Sequence, residues 1–328
     1  MLVVHPHFHP RRTGVTAHTE LIVPALAPFC EARGVGSLLP ADVQRISLGE
    51  VWRRSSRETV IWHAHRNNEL LWGLLLKVLR RRIRLVFTRH GSQPPGSFTR
   101  LLLRATDALV TLNDEAAKLV RRPSRVIQHG VRVDRFRPPS NRAEAWAKLG
   151  LGGALGIGVV GRLRADKGQG DFVDALAPLL ASRPGVVPVL VGLAKDAAWA
   201  QGLAAKSERL KLVGEQVDVA PWYQGLSIVV HPSHSEAFSM VLIEAMASGC
   251  CVVASRLPHV PEVVADGVTG FLFEPGDVEG LGKLLSRLLD DRPTVERVGR
   301  AAAQAARERF GVEQEARSLF EVYEGVAR

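Results

Sequence analysis

Residues Ser227-Ile228-Val229-Val230-His231-Pro232-Ser233-His234-Ser235-Glu236-Ala237-Phe238-Ser239-Met240-Val241-Leu242-Ile243-Glu244-Ala245-Met246-Ala247-Ser248-Gly249 change period midway. A β-branched apolar run ends at His231, a turn containing Pro and Ser follows, and apolar positions then recur at helical spacing. A second apolar run at 251–254 follows at once, which makes strand, loop, helix, strand the repeating unit of a parallel sheet. The alternation extends in both directions. Runs at 155–160, 187–191, 210–213 and 270–273 complete one set of strands. Runs at 2–4, 35–39, 59–62, 85–88, 108–111 and 125–128 form another, with amphipathic stretches at 16–31 and 68–79 between them. Two doubly wound α/β domains are predicted, residues 1–140 and 141–311, with an amphipathic helix over 312–328 packing back toward the first. The polar segment 135–141, with Pro138 and Pro139, is the expected hinge.

The 328 residues are 46% hydrophobic and 23% charged, which excludes disordered and fibrous classes. The apolar run 70–76 falls well short of the roughly 20 residues of a membrane span. The amino terminus lacks the basic start and long apolar core of a signal peptide, so a cytoplasmic protein is expected. Cys30 and the adjacent Cys250 and Cys251 are an odd set that fits a reducing compartment. The net charge of +10 is unevenly spread: residues 1–140 hold 23 Lys and Arg against 10 Asp and Glu, a net +13, and the remainder is net −3. Of those 23 cations 21 are arginine, the side chain suited to forked bonds with phosphate and carboxylate. An anionic partner for the first half follows, whether nucleic acid, anionic lipid or a phosphorylated substrate.

Ligands of open parallel sheets bind beyond the carboxyl ends of the strands. After 155–160 comes Gly161-Arg162-Leu163-Arg164-Ala165-Asp166-Lys167-Gly168. Glycine permits close backbone approach, and Arg162 with Lys167 sets two cations beside a helix start, an arrangement that fits a diphosphate. Solvated cations in a polar loop are the competing reading. After 227–231, Glu236 and Glu244 flank the backbone N–H groups of Ser239, Met240 and Val241. Those N–H groups suit a phosphate, and the carboxylates suit sugar or ribose hydroxyls. The alternative makes Ser235 or Glu236 a helix cap and Glu244 a surface acid.

Together these residues resemble the family 4 glycosyltransferases, whose mark is Glu, seven residues, Glu on this strand-loop-helix. The likeness continues through 251–255, 261–272 and Glu274-Pro275-Gly276-Asp277, and covers essentially the whole chain. It implies the GT-B architecture, two Rossmann-like domains facing a cleft. It implies that Gly161, Arg162 and Lys167 hold the donor diphosphate, that Glu244 takes the ribose hydroxyls, and that Glu236 contacts the transferred sugar. Transfer with retention of configuration, without a metal or other cofactor, is implied as well. Ala237 and Ser239 stand where many members have glycine.

In the first half, Arg11-Arg12-Thr13-Gly14-Val15-Thr16-Ala17-His18 follows the first strand, and Gly14 before a Thr16 helix cap fits a loop that admits a ligand. Thr88-Arg89-His90-Gly91 ends the fourth strand run where the family often carries a functional histidine. Gly14, Val15, Thr16, His18, Arg89 and His90 are therefore the acceptor and phosphate loops, with His90 joining Arg162, Lys167 and Glu236 in the catalytic set. His63 and His65 are read as packing residues. His5, His7 and His9 alternate as metal ligands might, but Pro6 and Pro10 point to an irregular loop and no metal is expected. Arg80-Arg81-Arg82-Ile83-Arg84 is read either as a solvated helix end or as a phosphate contact.

Residues 61–71, 98–108, 14–16 and 221–223 resemble the lipopolysaccharide core mannosyltransferases of some Gram-negative bacteria, whereas 89–96 depart from that subgroup. The implied donor is GDP-mannose, and the implied acceptor is the inner core on a lipid A precursor. The expected setting is the inner membrane surface, reached by peripheral contact with anionic lipid. A UDP- or ADP-linked sugar with another acceptor is the nearest alternative. The rival from a different class is a non-catalytic module binding a nucleotide sugar or an anionic polymer. No helix-turn-helix, zinc or aromatic-basic RNA motif is present, so nucleic acid is not expected.

Overall fold

The structure, a computed structural model, describes residues 1–10, 13–40, 43–79 and 82–328. Contacts between Cα atoms divide the chain into two compact units: Met1–Gly130 with Phe310–Arg328, and Val131–Arg309. The division falls ahead of the expected hinge because Val131 is buried, and Phe136 packs edge-on against Tyr223 within the second unit. An Arg135–Asp218 ion pair adds to that attachment. The chain enters the second unit before Pro138 and Pro139, and it returns to the first at Phe310.

The first unit holds β1 (Leu2–His7), β2 (Glu31–Gly36), β3 (Val60–Ala64), β4 (Ile83–Arg89), β5 (Ala108–Thr111) and β6 (Arg125–Val126), all parallel, in the order β2-β1-β3-β4-β5-β6. The order reverses between β1 and β3. Two expectations are corrected here. The first helix spans Gly14–Ala25 rather than 16–31, because Pro28 disfavours helical backbone at the residue before it and β2 begins at Glu31. Its cap is Thr13, not Thr16, which instead sits in the first turn and accepts from the Thr13 backbone N–H at 2.9 Å. Nor is the histidine-rich start irregular throughout: Pro6 lies inside β1, paired in register with Val35, and Phe8, His9 and Pro10 follow the strand as irregular backbone.

The second unit holds β7 (Leu155–Val160), β8 (Val186–Val191), β9 (Lys211–Gly214), β10 (Leu226–His231), β11 (Cys251–Ser255) and β12 (Phe271–Phe273), again parallel, in the order β12-β11-β10-β7-β8-β9. Read from the other edge this is the 3-2-1-4-5-6 order of nucleotide-binding sheets, with its switch point between β7 and β10. β7, β8 and β11 are buried along their whole length, as strands covered on both faces must be.

The helix Val312–Ala327 belongs to the first unit, where Val312, Ala316, Leu319 and Tyr323 join a core with Val3, Ile61 and Val86. On the other face of that sheet the helix Asn67–Leu79 lays Gly73 against Trp62. A Cβ there would stand 2.3 Å from the indole and 2.7 Å from Leu85. Trp62 cannot yield easily, because it is fully buried and its N–H is held by the Glu69 carbonyl at 2.9 Å. Gly73→Ala gains about 1 kcal/mol of helix propensity but overpacks a rigid site at about 1–3 kcal/mol. Net destabilisation is expected in denaturant titration, and an unchanged or raised midpoint would contradict this packing.

Candidate functional site

At the switch point of the second unit two loops interlock. Gly161 leaves β7 with φ +131°, a conformation reserved for glycine, and a Cβ there would meet nothing within 4 Å, so the backbone is open to a ligand. Buried Gln169 braces the loop, its amide donating to the Arg162 carbonyl at 2.9 Å. Gly168 closes the loop at φ +69°, and a Cβ on it would lie 1.9 Å from the Pro232 carbonyl oxygen. The loop after β10 is tied back by the His234 N–H donating to the Asp166 carbonyl at 3.0 Å, and by His234 with Asp171 at 2.7 Å. Lys167 and Glu236 are paired directly across the two loops. Arg162 stands exposed at the rim.

The helix Met240–Ala247 begins beside this pair, capped at Ser239. Neither Ser235 nor Glu236 caps it. Ser239 makes no capping bond, and its buried Oγ, like that of Ser233, has no protein partner. The N–H groups of the first turn have no intrahelical acceptor, so this end presents donors to an anion. Glu244 is not a surface acid: it accepts from the Tyr223 hydroxyl at 2.9 Å. Burial pushes its carboxyl up to about 7, against the lowering effects of Tyr223 and Arg135. His231, which ends β10, and His259 are held neutral by burial at about 3 and about 4, each with an unpartnered Nε2. Gly161, Arg162, Lys167, Glu236, Ser239, Met240, Val241 and Glu244 thus all lie on the loops and helix start at one strand-end region of this unit. Tyr223 was not anticipated. The chain has only two tyrosines, both fully buried, with their hydroxyls on Glu244 and His63.

The first unit gathers histidines instead. Glu315 Oε1 accepts from His18 Nε2 at 2.7 Å and His129 Nδ1 at 3.0 Å, and Oε2 accepts from the Gly130 N–H at 2.7 Å. His129 then bonds His90 at 3.2 Å, His90 bonds His65 at 3.1 Å, and His65 bonds His5 at 3.2 Å. Because the carboxylate only accepts, the chain is satisfied with every imidazole neutral and protonated on Nδ1 from His129 through to His5. His63 joins Tyr323 at 2.6 Å and Thr88 at 2.7 Å, and His7 joins Thr16 at 2.8 Å. His5, His7 and His9 therefore do not converge on one point. Three other groupings have cation-ligating geometry among the described residues, His5 with His63 and His65, His18 with His65 and His90, and His18 with His129 and Glu315. Their nitrogens mostly bond one another or Glu315. Of the loop residues, a Cβ on Gly14 would meet open space, Val15 is half-buried, and Thr16 and His18 are buried. Arg89 donates to the Gln93 carbonyl. His90 is half-buried, with both ring nitrogens engaged. Arg11, Arg12, Arg80 and Arg81 lie outside the described residues. Arg82 is exposed and donates to the Arg57 carbonyl, and Arg84 donates to the Val326 carbonyl at 2.9 Å, so both described arginines of the run bond backbone.

Residues 154–291 match the sequence profile of the glycosyl transferases group 1. The chain is 32% identical to the lipopolysaccharide core biosynthesis mannosyltransferase LpsB of Rhizobium meliloti, over 99% of this chain and 98% of that one. It is also 32% identical to the mannosyltransferase LpcC of Rhizobium leguminosarum, over 98% and 95%. Among solved structures, Anabaena Alr3699/HepE in complex with UDP superposes with a TM-score of 0.84 at 21% identity, covering 99% of this chain and all of that one. The chain belongs to the glycosyl transferases group 1 family, with the GT-B fold, and is a glycosyltransferase.

Two stability effects follow. A carboxyl raised to about 7 binds a proton in the native state that the unfolded chain releases above about 4.5, so Glu244 costs stability as pH rises through that window. Glu244→Gln is expected to gain about 1–2 kcal/mol at pH near 8 and little near pH 4, measured by urea unfolding; equal effects at both would contradict its burial. In the first unit the signs reverse. His5, His7, His63, His65, His90 and His129 are all lowered by burial below the ordinary 6.5, so the unfolded chain takes up protons there first. Burial alone would raise Glu315, but His18 and His129 hold it below the usual carboxylate range, and that contribution is lost in stronger acid. Stability of this unit is expected to fall below about pH 6.5 more steeply than the roughly 1.4 kcal/mol per pH unit of a single group. A flat profile between about pH 7.5 and 5 would contradict the neutral histidine core.

Proposed function

We propose that the protein is a retaining mannosyltransferase that takes mannose from GDP-mannose and delivers it to a lipid-linked anionic acceptor such as the lipopolysaccharide inner core. The observation that carries the reading is the likeness to two rhizobial lipopolysaccharide core biosynthesis mannosyltransferases over nearly the full length of both chains. The charges of the second unit's site suit such a donor. Breaking the sugar–phosphate bond builds negative charge on the diphosphate, which Arg162, Lys167 and the first-turn N–H groups after Ser239 would stabilise. An arriving diphosphate competes for Lys167 and frees Glu236 to accept hydrogen bonds from the transferred sugar and to offset positive charge on its ring. Glu244, oriented by Tyr223, accepts from the ribose hydroxyls. In this reading the departing phosphate takes the acceptor's proton, so neither a protein nucleophile nor a metal takes part. Gly14, Val15, Thr16, His18, Arg89 and His90 serve the acceptor side, on the unit rich in arginine. The working site is the cytoplasmic surface of the inner membrane, touched peripherally.

Transfer assayed with GDP-, UDP- and ADP-linked hexoses is expected to favour GDP-mannose, and Glu236→Ala and Arg162→Ala are each expected to lower turnover by about 100-fold or more. Undiminished turnover in both variants would overturn the site, and preference for a UDP or ADP donor would overturn the mannose reading.

A further inference from the structure

Two neighbouring helices of the first unit turn large apolar residues outward as well as inward. The helix Asn67–Leu79 buries Leu70, Gly73 and Leu76 on one side and exposes Leu71, Trp72, Leu75, Val78 and Leu79 on the other, Val78 by 74% and Leu79 by 57%. The helix Ser97–Leu103 buries Leu102 and Leu103 and exposes Phe98 and Leu101, the latter by 60%. The two helices start side by side, joined by Asn67 donating to Thr99 at 2.8 Å. Seven large apolar side chains thus stand on one pair of helices, a concentration that marks an interaction surface rather than scattered exposure.

The charges around them choose the partner. Arg100 and Arg104 are exposed on the second helix and its end, and Arg82 is exposed just beyond the first. Within these helices and the segments 90–96 and 104–107 the acids are Glu69 and Asp107. Glu69 is buried and bonded to Arg66, and Asp107 is taken by Lys77 at 2.6 Å. Apolar side chains that include a tryptophan, rimmed by cations whose nearby acids are already paired, match the boundary of an anionic bilayer. No helix among the described residues is long and apolar enough to cross a membrane.

We infer that Trp72, Leu75, Val78, Leu79, Phe98 and Leu101 form a face that inserts shallowly into anionic lipid, with Arg100 and Arg104 meeting the headgroups. This deepens the peripheral contact proposed above by naming its surface, and it is independent of which sugar is moved.

Co-sedimentation of the full chain with phosphatidylcholine vesicles, with and without phosphatidylglycerol, tests it in the absence of donor and acceptor. Binding is expected with the anionic vesicles and weakened by salt. A Leu75→Ser, Val78→Ser, Leu101→Ser triple variant is expected to bind at least about 10-fold more weakly, and Arg100→Glu with Arg104→Glu roughly 30-fold more weakly. Brominated lipid is expected to quench tryptophan fluorescence in the wild type and to lose most of that effect in Trp72→Phe. A far-ultraviolet circular dichroism spectrum and a cooperative urea transition like those of the wild type show that the variants are folded, and failure of the wild type to bind a nucleotide sugar would count against the donor site alone. Absence of vesicle binding, or binding that all three variants retain, would overturn the inference. So would a dimer in sedimentation equilibrium that the triple variant abolishes while vesicles go unbound.

Discussion

The candidate site of the second unit depends on one close approach. Gly168, in a left-handed conformation, lies against the Pro232 carbonyl, and no side chain fits between them. That contact clamps the loop after β7 to the loop after β10 at the point where the strand order reverses. It brings Lys167 onto Glu236, the Asp166 carbonyl onto the His234 N–H, and the open Gly161 backbone to the same end of the sheet as the helix Met240–Ala247. A parallel sheet opens a crevice at its switch point in any case. Here the glycine decides how narrow that crevice is, and so whether two cations, two carboxylates and a helix start can address one ligand.

The first unit solves a different problem with its C-terminal helix. Most of the chain's histidines lie in its interior, where charged imidazoles would be costly, and Glu315 anchors a line of neutral ones. The same helix supplies Tyr323 to His63. The positive excess of this half is therefore an excess of arginine, since burial lowers His5, His7, His63, His65, His90 and His129 below the ordinary imidazole range. The charge available to an anionic partner sits at the surface, part of it beside the exposed apolar helices.

Much of this was legible in the sequence. Every strand run met a strand in the structure, most plainly at β1, β3, β7, β8 and β11, because fully covered parallel strands read as apolar runs whatever lies around them. β2 was the poorest match, its Glu31, Arg33 and Gly34 giving an edge strand a polar look and shifting the expected run toward Leu39. The site's charged residues stood out because strand ends are where ligands bind. Their mutual arrangement did not: Lys167 and Glu236 are paired across two separate loops, and nothing local marks that pairing. Tyr223 hides inside a short helix before β10. The histidine line was invisible for the same reason, since His18 and Glu315 meet from opposite ends of the chain, and the short-range alternation of His5, His7 and His9 pointed to a different grouping.

The central claim is that the second unit's site receives a nucleotide sugar with Glu244 accepting from its ribose. Titration calorimetry of GDP-mannose near pH 7, in buffers of differing ionisation enthalpy, tests it most directly, because the diphosphate of a nucleotide sugar carries no group titrating there. Hydrogen bonds donated to a carboxyl poised at about 7 favour its ionised form. Binding should therefore release a fraction of a proton to the buffer in the wild type and none in Glu244→Gln. Binding with no proton release, or release that persists in the variant, would contradict the assignment.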